Sequence, residues 1–234
     1  MNLKDKRVLV TGGSLGIGKV TAKLLVEKGA KVVITGRNKE RLDKAAAEVG
    51  ATPFIFDISD TGNIEAKAQE CLNLLGGGID VLLNNAGIGE FAVLGDLTMD
   101  QFERIFNTNV FGLAMLTQAF LPTFKAQQSG NIINIGSSAA IKGFAHGSVY
   151  AASKFAVRAM TQCWQAELRK DNIRVFLVNP SEVTTAFNQE DREERKEVSN
   201  KLTPTEIAHV ILSGLEMDDR GFVPEINVWA TNPF

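Results

Sequence analysis

The sequence contains few of the residues that build disulfide frameworks and metal sites. Its two cysteines, Cys71 and Cys163, lie in separate segments of helical pattern and form no C-x-x-C. We therefore expect buried free thiols in a reducing compartment. The two histidines, His146 and His209, share no metal-ligand spacing, so the sequence predicts no metal site.

Long apolar runs and an excess of one charge are also absent. No apolar stretch approaches the roughly 18 residues that a membrane span needs, and residues 1–7 do not resemble a signal peptide. We expect a soluble, cytoplasmic protein that does not bind membranes. The net charge of −2 offers no electrostatic case for binding nucleic acid.

Apolar runs alternate with helical patterns along the 234 residues of the chain. This alternation is typical of βαβ units, in which helices cover both faces of a parallel sheet. The sequence predicts one α/β domain over residues 1–234, with a seven-stranded parallel sheet. The predicted strands are 7–11, 31–35, 52–57, 79–84, 131–136, 173–179 and 222–229. The predicted helices are 19–28, 38–49, 62–75, 98–125 with a kink or end at Pro122, 149–170, and 204–217 with Thr203 as its cap.

One charged stretch, residues 189–201, interrupts this alternation. Its composition is compatible with a solvated helix, with a mobile segment, or with a lid over a binding site. The sequence leaves these three interpretations open.

A glycine-rich turn follows the first predicted strand and precedes the first helix. It reads T-G-G-S-L-G-I-G over residues 11–18. Glycines allow the backbone to approach a pyrophosphate, whose charge the helix N-terminus attracts. A glycine turn without a ligand is the alternative, but the strand, the spacing and the helix favour dinucleotide binding. The predicted contacts in this turn are Gly12, Ser14, Gly16, Ile17 and Gly18.

The end of the second predicted strand indicates which dinucleotide binds. In an NAD site an acidic residue there accepts hydrogen bonds from the ribose and would repel a 2′-phosphate. Here Gly36 is followed by Arg37 and Asn38, and a guanidinium suits a phosphate as a bidentate partner. The sequence predicts NADP(H) over NAD(H). Arg37 could instead be a solvated cation, and Leu15 adds no second basic group in the glycine turn.

Tyr150, the single tyrosine of the chain, stands four residues before Lys154 in a helical segment. Both side chains therefore leave the same helix face. A neighbouring cation favours the phenolate, so we expect the pKa of Tyr150 to be lowered toward working pH, as suits a proton donor to a carbonyl. An isolated Y-x-x-x-K is also typical of a core tyrosine beside a solvated lysine, and the other motifs must decide.

Four motifs in order resemble those of the short-chain dehydrogenase/reductase family, in particular its bacterial carbonyl and 3-oxoacyl reductases. They are T-G-x-x-x-G-I-G at 11–18, N-N-A-G at 84–87, a serine at a strand end, and Y-x-x-x-K at 150–154. The resemblance covers essentially the whole chain. It implies a single doubly wound Rossmann domain, hydride transfer with a nicotinamide cofactor, and often a tetramer built through the long helices after the fourth and fifth strands.

The resemblance also assigns site residues. The family's catalytic asparagine, serine, tyrosine and lysine correspond to Asn109, Ser137, Tyr150 and Lys154, whereas Asn107 and Ser138 match less well. Its cofactor contacts correspond to Asp57, Ile58, Asn85, Ala86, Gly87, Tyr150, Lys154, Pro180, Val183 and Thr185. Ser181 departs from the family, which usually has glycine there, and a Cβ restricts the backbone at that turn.

The expected function is reduction of a ketone, an aldehyde or a 3-oxoacyl thioester by NADPH, with Tyr150 as proton donor. In the family, segments 88–93 and 143–146 border the substrate, and here they are mainly apolar. His146 is either a substrate contact or an exposed loop residue. A dinucleotide-binding sensor or interaction protein, and an NAD-linked alcohol dehydrogenase, are the alternatives. The expected partners are a small carbonyl compound and further copies of this chain.

Overall fold

A parallel sheet forms the centre of the computed structural model, which describes residues 1–187 and 193–233. Its seven strands lie in the order β3-β2-β1-β4-β5-β6-β7, and every neighbouring pair is parallel. The strands are β1 Arg7–Val10, β2 Lys31–Gly36, β3 Thr52–Ile55, β4 Val81–Asn84, β5 Gly130–Ile135, β6 Ile173–Pro180 and β7 Glu225–Val228. The predicted seven-stranded parallel sheet is confirmed.

Helices cover both faces of this sheet, because successive side chains of a buried strand point to opposite faces. On one face Val10 packs with Leu25 and Ile207, and on the other Leu9 packs with Phe120. The helices are α1 Gly16–Glu27, α2 Lys39–Val49, α3 Ile64–Leu74, α4 Met99–Phe106, α5 Leu113–Gln127, α6 Ser148–Leu168 and α7 Pro204–Glu216. Short 3₁₀ turns lie at Thr61–Asn63, Leu94–Asp96, Ser138–Ala140 and Arg169–Asp171.

The strand order reverses between β1 and β4. From β1 the chain moves outward through β2 to β3, and it then returns to place β4 on the other side of β1. The loops after β1 and β4 therefore diverge at the carboxyl edge of the sheet. In doubly wound folds this divergence opens a crevice in which ligands bind.

The helix predicted over 98–125 is interrupted by a π-helical turn, Asn107–Gly112. The sequence pattern gave no sign of this interruption. At the end of the turn the backbone approaches a distant segment, since a Cβ on Gly112 would lie 2.2 Å from the carbonyl oxygen of Ile58. Pro122 does not end the helix, since α5 continues to Gln127. Such π turns are frequent at functional sites.

The C-terminal region contains the predicted Thr203 cap and the charged stretch whose interpretation the sequence left open. The predicted Thr203 cap is confirmed, because its hydroxyl accepts from the amide of Thr205 at 3.2 Å and its own amide donates to Glu206 at 2.7 Å. Of the charged stretch 189–201, residues 189–192 lie outside the described residues. The described remainder, 193–201, contains no helix.

The two cysteines lie in different environments, and the expectation of two buried thiols was wrong for one of them. Cys71 is buried in α3, and burial raises the pKa of its thiol to about 12. Cys163 is exposed, because α6 directs Thr161 and Gln165 toward the core and Cys163 away from it.

Among the helices that the structure describes, none combines the length and the hydropathy of a membrane-spanning segment.

Candidate active site

A cavity of about 480 Å³ opens in the crevice at the carboxyl edge of the sheet. This volume is in the range of small-molecule and cofactor sites. The predicted cofactor contacts that line it are Gly12, Ser14, Gly16, Ile17, Arg37, Asn38, Asp57, Ile58, Asn85, Ala86, Gly87 and Thr185. The predicted contacts that are not among its lining residues are Gly18, Tyr150, Lys154, Pro180 and Val183.

The glycine turn after β1 forms the floor of this cavity. Gly12 and Gly16 have φ of +65° and +53°, a region that side chains with a Cβ rarely adopt, and a Cβ on Gly12 would lie 2.9 Å from Ala86 Cα. Gly18 has a packing role, since a Cβ there would lie 2.5 Å from the Gly12 carbonyl oxygen. The turn leaves the amides of the first turn of α1 directed at the cavity, as an anion site requires.

Hydrogen bonds join the glycine turn to the loop after β4. The Thr11 hydroxyl accepts from the amides of Asn85 and Ala86, both at 3.0 Å. The Asn85 side chain donates to the carbonyl oxygens of Thr11 at 2.9 Å and Gly12 at 3.1 Å. The two sides of the crevice are therefore fixed relative to each other.

Two arginines line the end of the cavity near β2. The side chain of Arg37 is 57% exposed, and its guanidinium lies 3.9 Å from the Asp57 carboxylate. Asn38 caps α2 by accepting from the amide of Arg41 at 2.9 Å, which brings Arg41 to the same end. The sequence analysis missed Arg41, although its position four residues after Arg37 at a helix start was the available signal.

The predicted catalytic side chains meet beside this cavity. Tyr150 and Lys154 are both buried on α6, and the Lys154 ammonium lies 5.8 Å from the centre of the Tyr150 ring. The Tyr150 hydroxyl is hydrogen-bonded to the side chain of Ser137, at the end of β5. The Lys154 ammonium donates to the Ile135 carbonyl oxygen at 2.9 Å.

The expected lowering of the Tyr150 pKa is not observed. Burial raises the pKa of the Tyr150 hydroxyl, and the hydrogen bond from Ser137 opposes this only in part. The expectation fails because the Lys154 ammonium is itself buried and is directed at the Ile135 carbonyl. Burial also lowers the pKa of Lys154 to about 8, since a desolvated ammonium is disfavoured.

Asn109 lies on the π-helical turn, fully buried, and holds the loop after β4. Its side chain donates to the Ile88 carbonyl oxygen and accepts from the Ile88 amide, both at 2.9 Å. It also donates to the Ser153 hydroxyl at 3.1 Å. Gly87 lies between Asn109 and Lys154, since a Cβ on Gly87 would be 3.3 Å from Asn109 Oδ1 and 3.7 Å from Lys154 Nζ.

Comparison with known proteins agrees with this geometry. A model of the short chain dehydrogenases matches residues 6–196. The chain is 34% identical over 233 residues to an uncharacterised oxidoreductase of Staphylococcus aureus, with 97% of each chain covered. The chain belongs to the short-chain dehydrogenase/reductase family. It is accordingly an oxidoreductase with a Rossmann fold, as the order of its motifs predicted.

Two solved structures are similar to this chain along nearly their whole lengths. One is an alcohol dehydrogenase of the archaeon Thermococcus sibiricus complexed with 5-hydroxy-NADP, with 26% identity, a TM-score of 0.89 and 97% of each chain covered. The other is a metagenomic short-chain oxidoreductase in complex with NADP, with 31% identity, a TM-score of 0.85 and 99% of each chain covered.

The departure from the family at Ser181 causes no backbone strain. Ser181 is not among the residues with positive φ, so its turn does not require glycine. Its amide continues the β6–β7 ladder by donating to the Val228 carbonyl oxygen at 2.8 Å. Val183 pairs with Leu202 and packs on the core, which explains why it does not line the cavity.

Asn179 is a positioning residue that the sequence analysis missed. Its Oδ1 accepts from the Ser137 amide at 3.2 Å, and its Nδ2 donates to Glu225 and Asn227, both at 2.9 Å. A Cβ on Gly136 would lie 2.1 Å from Asn179 Oδ1. In the sequence, Asn179 follows the apolar run 175–178, and this polar residue near the end of a predicted strand could have identified it.

A carboxylate from the C-terminal region reaches the proposed anion site. The amide of Gly16, at the start of α1, donates to Glu194 Oε1 at 3.2 Å. We expect Glu194→Gln to tighten NADPH binding by about two- to fivefold, because a charge at a helix N-terminus contributes about 0.3–1 kcal/mol and would compete with the pyrophosphate. Fluorescence titration measures this, with Glu197→Gln, exposed on the same segment, as the control. An unchanged dissociation constant would show that Glu194 does not compete.

Proposed function

We propose that this protein reduces a ketone, an aldehyde or a 3-oxoacyl thioester with NADPH, and that Tyr150 donates the proton to the carbonyl oxygen. The proposal rests chiefly on the buried Tyr150 hydroxyl, which is hydrogen-bonded to Ser137, and on the Lys154 ammonium, which lies 5.8 Å from the centre of the Tyr150 ring. Phe187 lines the cavity and also contacts the Tyr150 ring at 5.9 Å between centroids. A dinucleotide in the cavity would therefore end close to this hydroxyl.

The residues of the cavity fit a dinucleotide. The close approach of Gly12 to Ala86 and the N-terminus of α1 suit a pyrophosphate, and Asp57 suits an adenosine. The bound cofactor would supply a hydride to the carbonyl carbon.

Four side chains would then act on the carbonyl and its proton. Ser137 hydrogen-bonds and orients the carbonyl oxygen, and Tyr150 donates its proton to that oxygen. The raised pKa of Tyr150 keeps the phenol protonated before reaction, which is the form that a proton donor needs. The Lys154 ammonium stabilises the phenolate formed and holds the nicotinamide ribose. Asn109 fixes the loop beside Lys154 and supports a water that returns the proton.

Arg37 and Arg41 support NADPH over NADH. Both line the end of the cavity at which a 2′-phosphate would lie, and a guanidinium binds phosphate in a bidentate, charge-assisted way. The two similar structures are complexes with 5-hydroxy-NADP and with NADP. Gly36 occupies the place of the acidic residue that an NAD site would use.

Replacing Arg37 by alanine is expected to separate the two cofactors. NADPH binding should weaken by about ten- to a hundredfold, the usual worth of a hydrogen bond to a charged group, while NADH binding changes little. Titration of both cofactors by fluorescence measures this. Lys39→Ala is the matched control, because Lys39 is an exposed cation nearby whose ammonium pairs with Asp43. Equal weakening of NADH and NADPH would contradict the 2′-phosphate role.

The function itself is tested with purified protein, both reduced cofactors and a panel of ketones, aldehydes and a 3-oxoacyl thioester. Loss of absorbance from NADPH, with formation of the alcohol, supports the proposal. Tight NADPH binding without turnover of any panel member favours the dinucleotide-binding sensor instead. A reaction that proceeds only from alcohol and NAD⁺ favours the alcohol dehydrogenase.

We further propose that the protein acts as a homo-oligomer, a dimer or a tetramer. Met115 on α5 and Phe155 on α6 are 41% and 43% exposed, although both are apolar. Exposed apolar surface on long helices is typical of contacts between subunits. A monomer in sedimentation equilibrium would contradict this.

A further inference from the structure

Three phenylalanine rings form a cluster with the ring of Tyr150. The ring centre of Phe91 lies 5.5 Å and that of Phe187 5.9 Å from the centre of the Tyr150 ring. The ring of Phe144 lies 6.0 Å from that of Phe91. The interplanar angles are 64°, 60° and 49°, the tilted arrangements in which aromatic rings attract one another. We call Phe91, Phe144 and Phe187 the phenylalanine cluster.

The outer two members of this cluster are exposed. Phe91 and Phe144 are 40% and 50% exposed, respectively, although both have aromatic contacts. Contiguous exposed aromatic surface is unfavourable in water and marks binding sites. This surface lies directly beside the proposed proton donor, so a molecule that covers it can present its carbonyl to Tyr150.

The two loops that carry these rings are fixed to each other. The Ala92 amide donates to the His146 carbonyl oxygen at 2.9 Å, and Ala92 pairs with Gly147 in a short parallel bridge. Gly147 also leaves room for the neighbouring ring, because a Cβ there would lie 2.6 Å from Phe144 Cζ. The rings are therefore held in place before a ligand arrives, which lowers the entropy cost of binding.

The charge beside the phenylalanine cluster is neutralised within the protein. Glu90 precedes Phe91, and its carboxylate forms an ion pair with Arg104 of α4. Because Arg104 already pairs with it, the Glu90 carboxylate attracts a cationic ligand only weakly. The surface beside Tyr150 is thus defined by its aromatic rings.

We propose that the substrate carries an aromatic ring next to its carbonyl, as an aryl ketone or aryl aldehyde, and that Phe91 and Phe144 select it. This inference rests on the proposed reductase function. The substrate ring would extend the tilted contacts of the phenylalanine cluster. In the reaction the carbonyl π bond breaks, a C–H bond forms with the hydride from NADPH, and an O–H bond forms with the proton of Tyr150. The products are the alcohol and NADP⁺.

Acetophenone and cyclohexyl methyl ketone test the preference, because they share the methyl ketone and differ in whether the ring is aromatic. The measured quantity is the ratio of kcat/KM for the aryl ketone to kcat/KM for the cyclohexyl ketone. Phe91→Leu and Phe144→Leu keep an apolar side chain but remove its ring. Each should lower the ratio about two- to tenfold, the usual worth of one aromatic pair. Comparing this ratio between each variant and the unsubstituted protein cancels the difference in intrinsic reactivity between the two ketones.

Phe111→Leu is the matched control. Phe111 is 50% exposed, like Phe144. It lies in the π-helical turn, and its ring contacts that of Phe106 at the end of α4 instead of the phenylalanine cluster. This variant should leave the ratio unchanged. A ratio that is also unchanged in both Phe91→Leu and Phe144→Leu overturns the inference while leaving the reductase function intact.

Failure of the proposed function is recognised separately. If neither ketone is turned over, the proposed function is contradicted for these substrates, and binding decides the inference. The NMR lines of acetophenone are compared in mixtures of NADPH with the unsubstituted protein and with Phe91→Leu. Broadening with the unsubstituted protein that is lost with Phe91→Leu supports an aryl site. Equal broadening with the two proteins, or none with the unsubstituted protein, overturns it.

Discussion

Replacing Tyr150 by phenylalanine is expected to abolish carbonyl turnover while NADPH still binds. The substitution removes the proton that the carbonyl oxygen must receive, and a positioned proton donor contributes about 10²- to 10⁴-fold to a rate. The ring remains, so its contacts with Phe91 and Phe187 should persist and the fold should be retained. Steady-state kinetics give kcat, and fluorescence titration gives the dissociation constant of NADPH.

The chain has no second tyrosine that could act as a matched control. NADPH binding and the circular dichroism spectrum serve as the folding control instead, because an unfolded variant would not bind NADPH and would have a changed spectrum. Near-normal turnover by Tyr150→Phe would mean that another group donates the proton.

Replacing Lys154 by methionine is expected to remove turnover and to increase stability. Burial lowers the pKa of Lys154 from 10.5 to about 8, which corresponds to about 3 kcal/mol of unfavourable ammonium burial near neutral pH. Loss of the hydrogen bond to the Ile135 carbonyl oxygen offsets part of this. A net increase in the free energy of unfolding on the order of 1–2 kcal/mol remains.

The stability difference should depend on pH in a defined direction. Between about pH 8 and pH 10.5 the folded protein binds fewer protons at Lys154 than the unfolded chain does, so its stability rises with pH there. The advantage of Lys154→Met should therefore shrink across this window. Urea unfolding at several pH values measures it. Lys23→Met, on the exposed face of α1, should change stability by less than about 0.5 kcal/mol.

Two results would contradict these expectations, one for the reaction and one for the cost of burial. Retained turnover in Lys154→Met would show that the ammonium is dispensable for the reaction. Decreased stability near neutral pH would show that its hydrogen bond to Ile135 outweighs the cost of its burial.

The features that could be predicted from the sequence are those that depend on local sequence patterns. The alternation of apolar runs and helical segments gave the parallel sheet, and the glycines of 11–18 gave the turn that approaches Ala86. The Thr203 cap was equally local. The break in the helix after Phe106 was not predictable, because the close approach of Gly112 to the Ile58 carbonyl depends on the tertiary fold.

In the candidate site, too, local features could be predicted from the sequence and features that depend on the tertiary fold could not. The spacing of Tyr150 and Lys154 predicted their common helix face, but not the direction of the Tyr150 pKa. That direction follows from burial, to which rings distant in sequence contribute, such as Phe91. Asn179 was overlooked for a similar reason, since its importance lies in contacts to Ser137 and β7 that only the folded chain brings together.

Hydride transfer to a carbonyl is tested most directly with NADPH that carries deuterium at the transferable position of the nicotinamide. The protein is mixed with this cofactor and a ketone that it turns over, and the alcohol is examined by mass spectrometry and NMR. We expect one deuterium on the carbinol carbon, and none with Tyr150→Phe beyond the background of its residual rate. Oxidation of the labelled NADPH without deuterium in the alcohol would contradict direct hydride transfer.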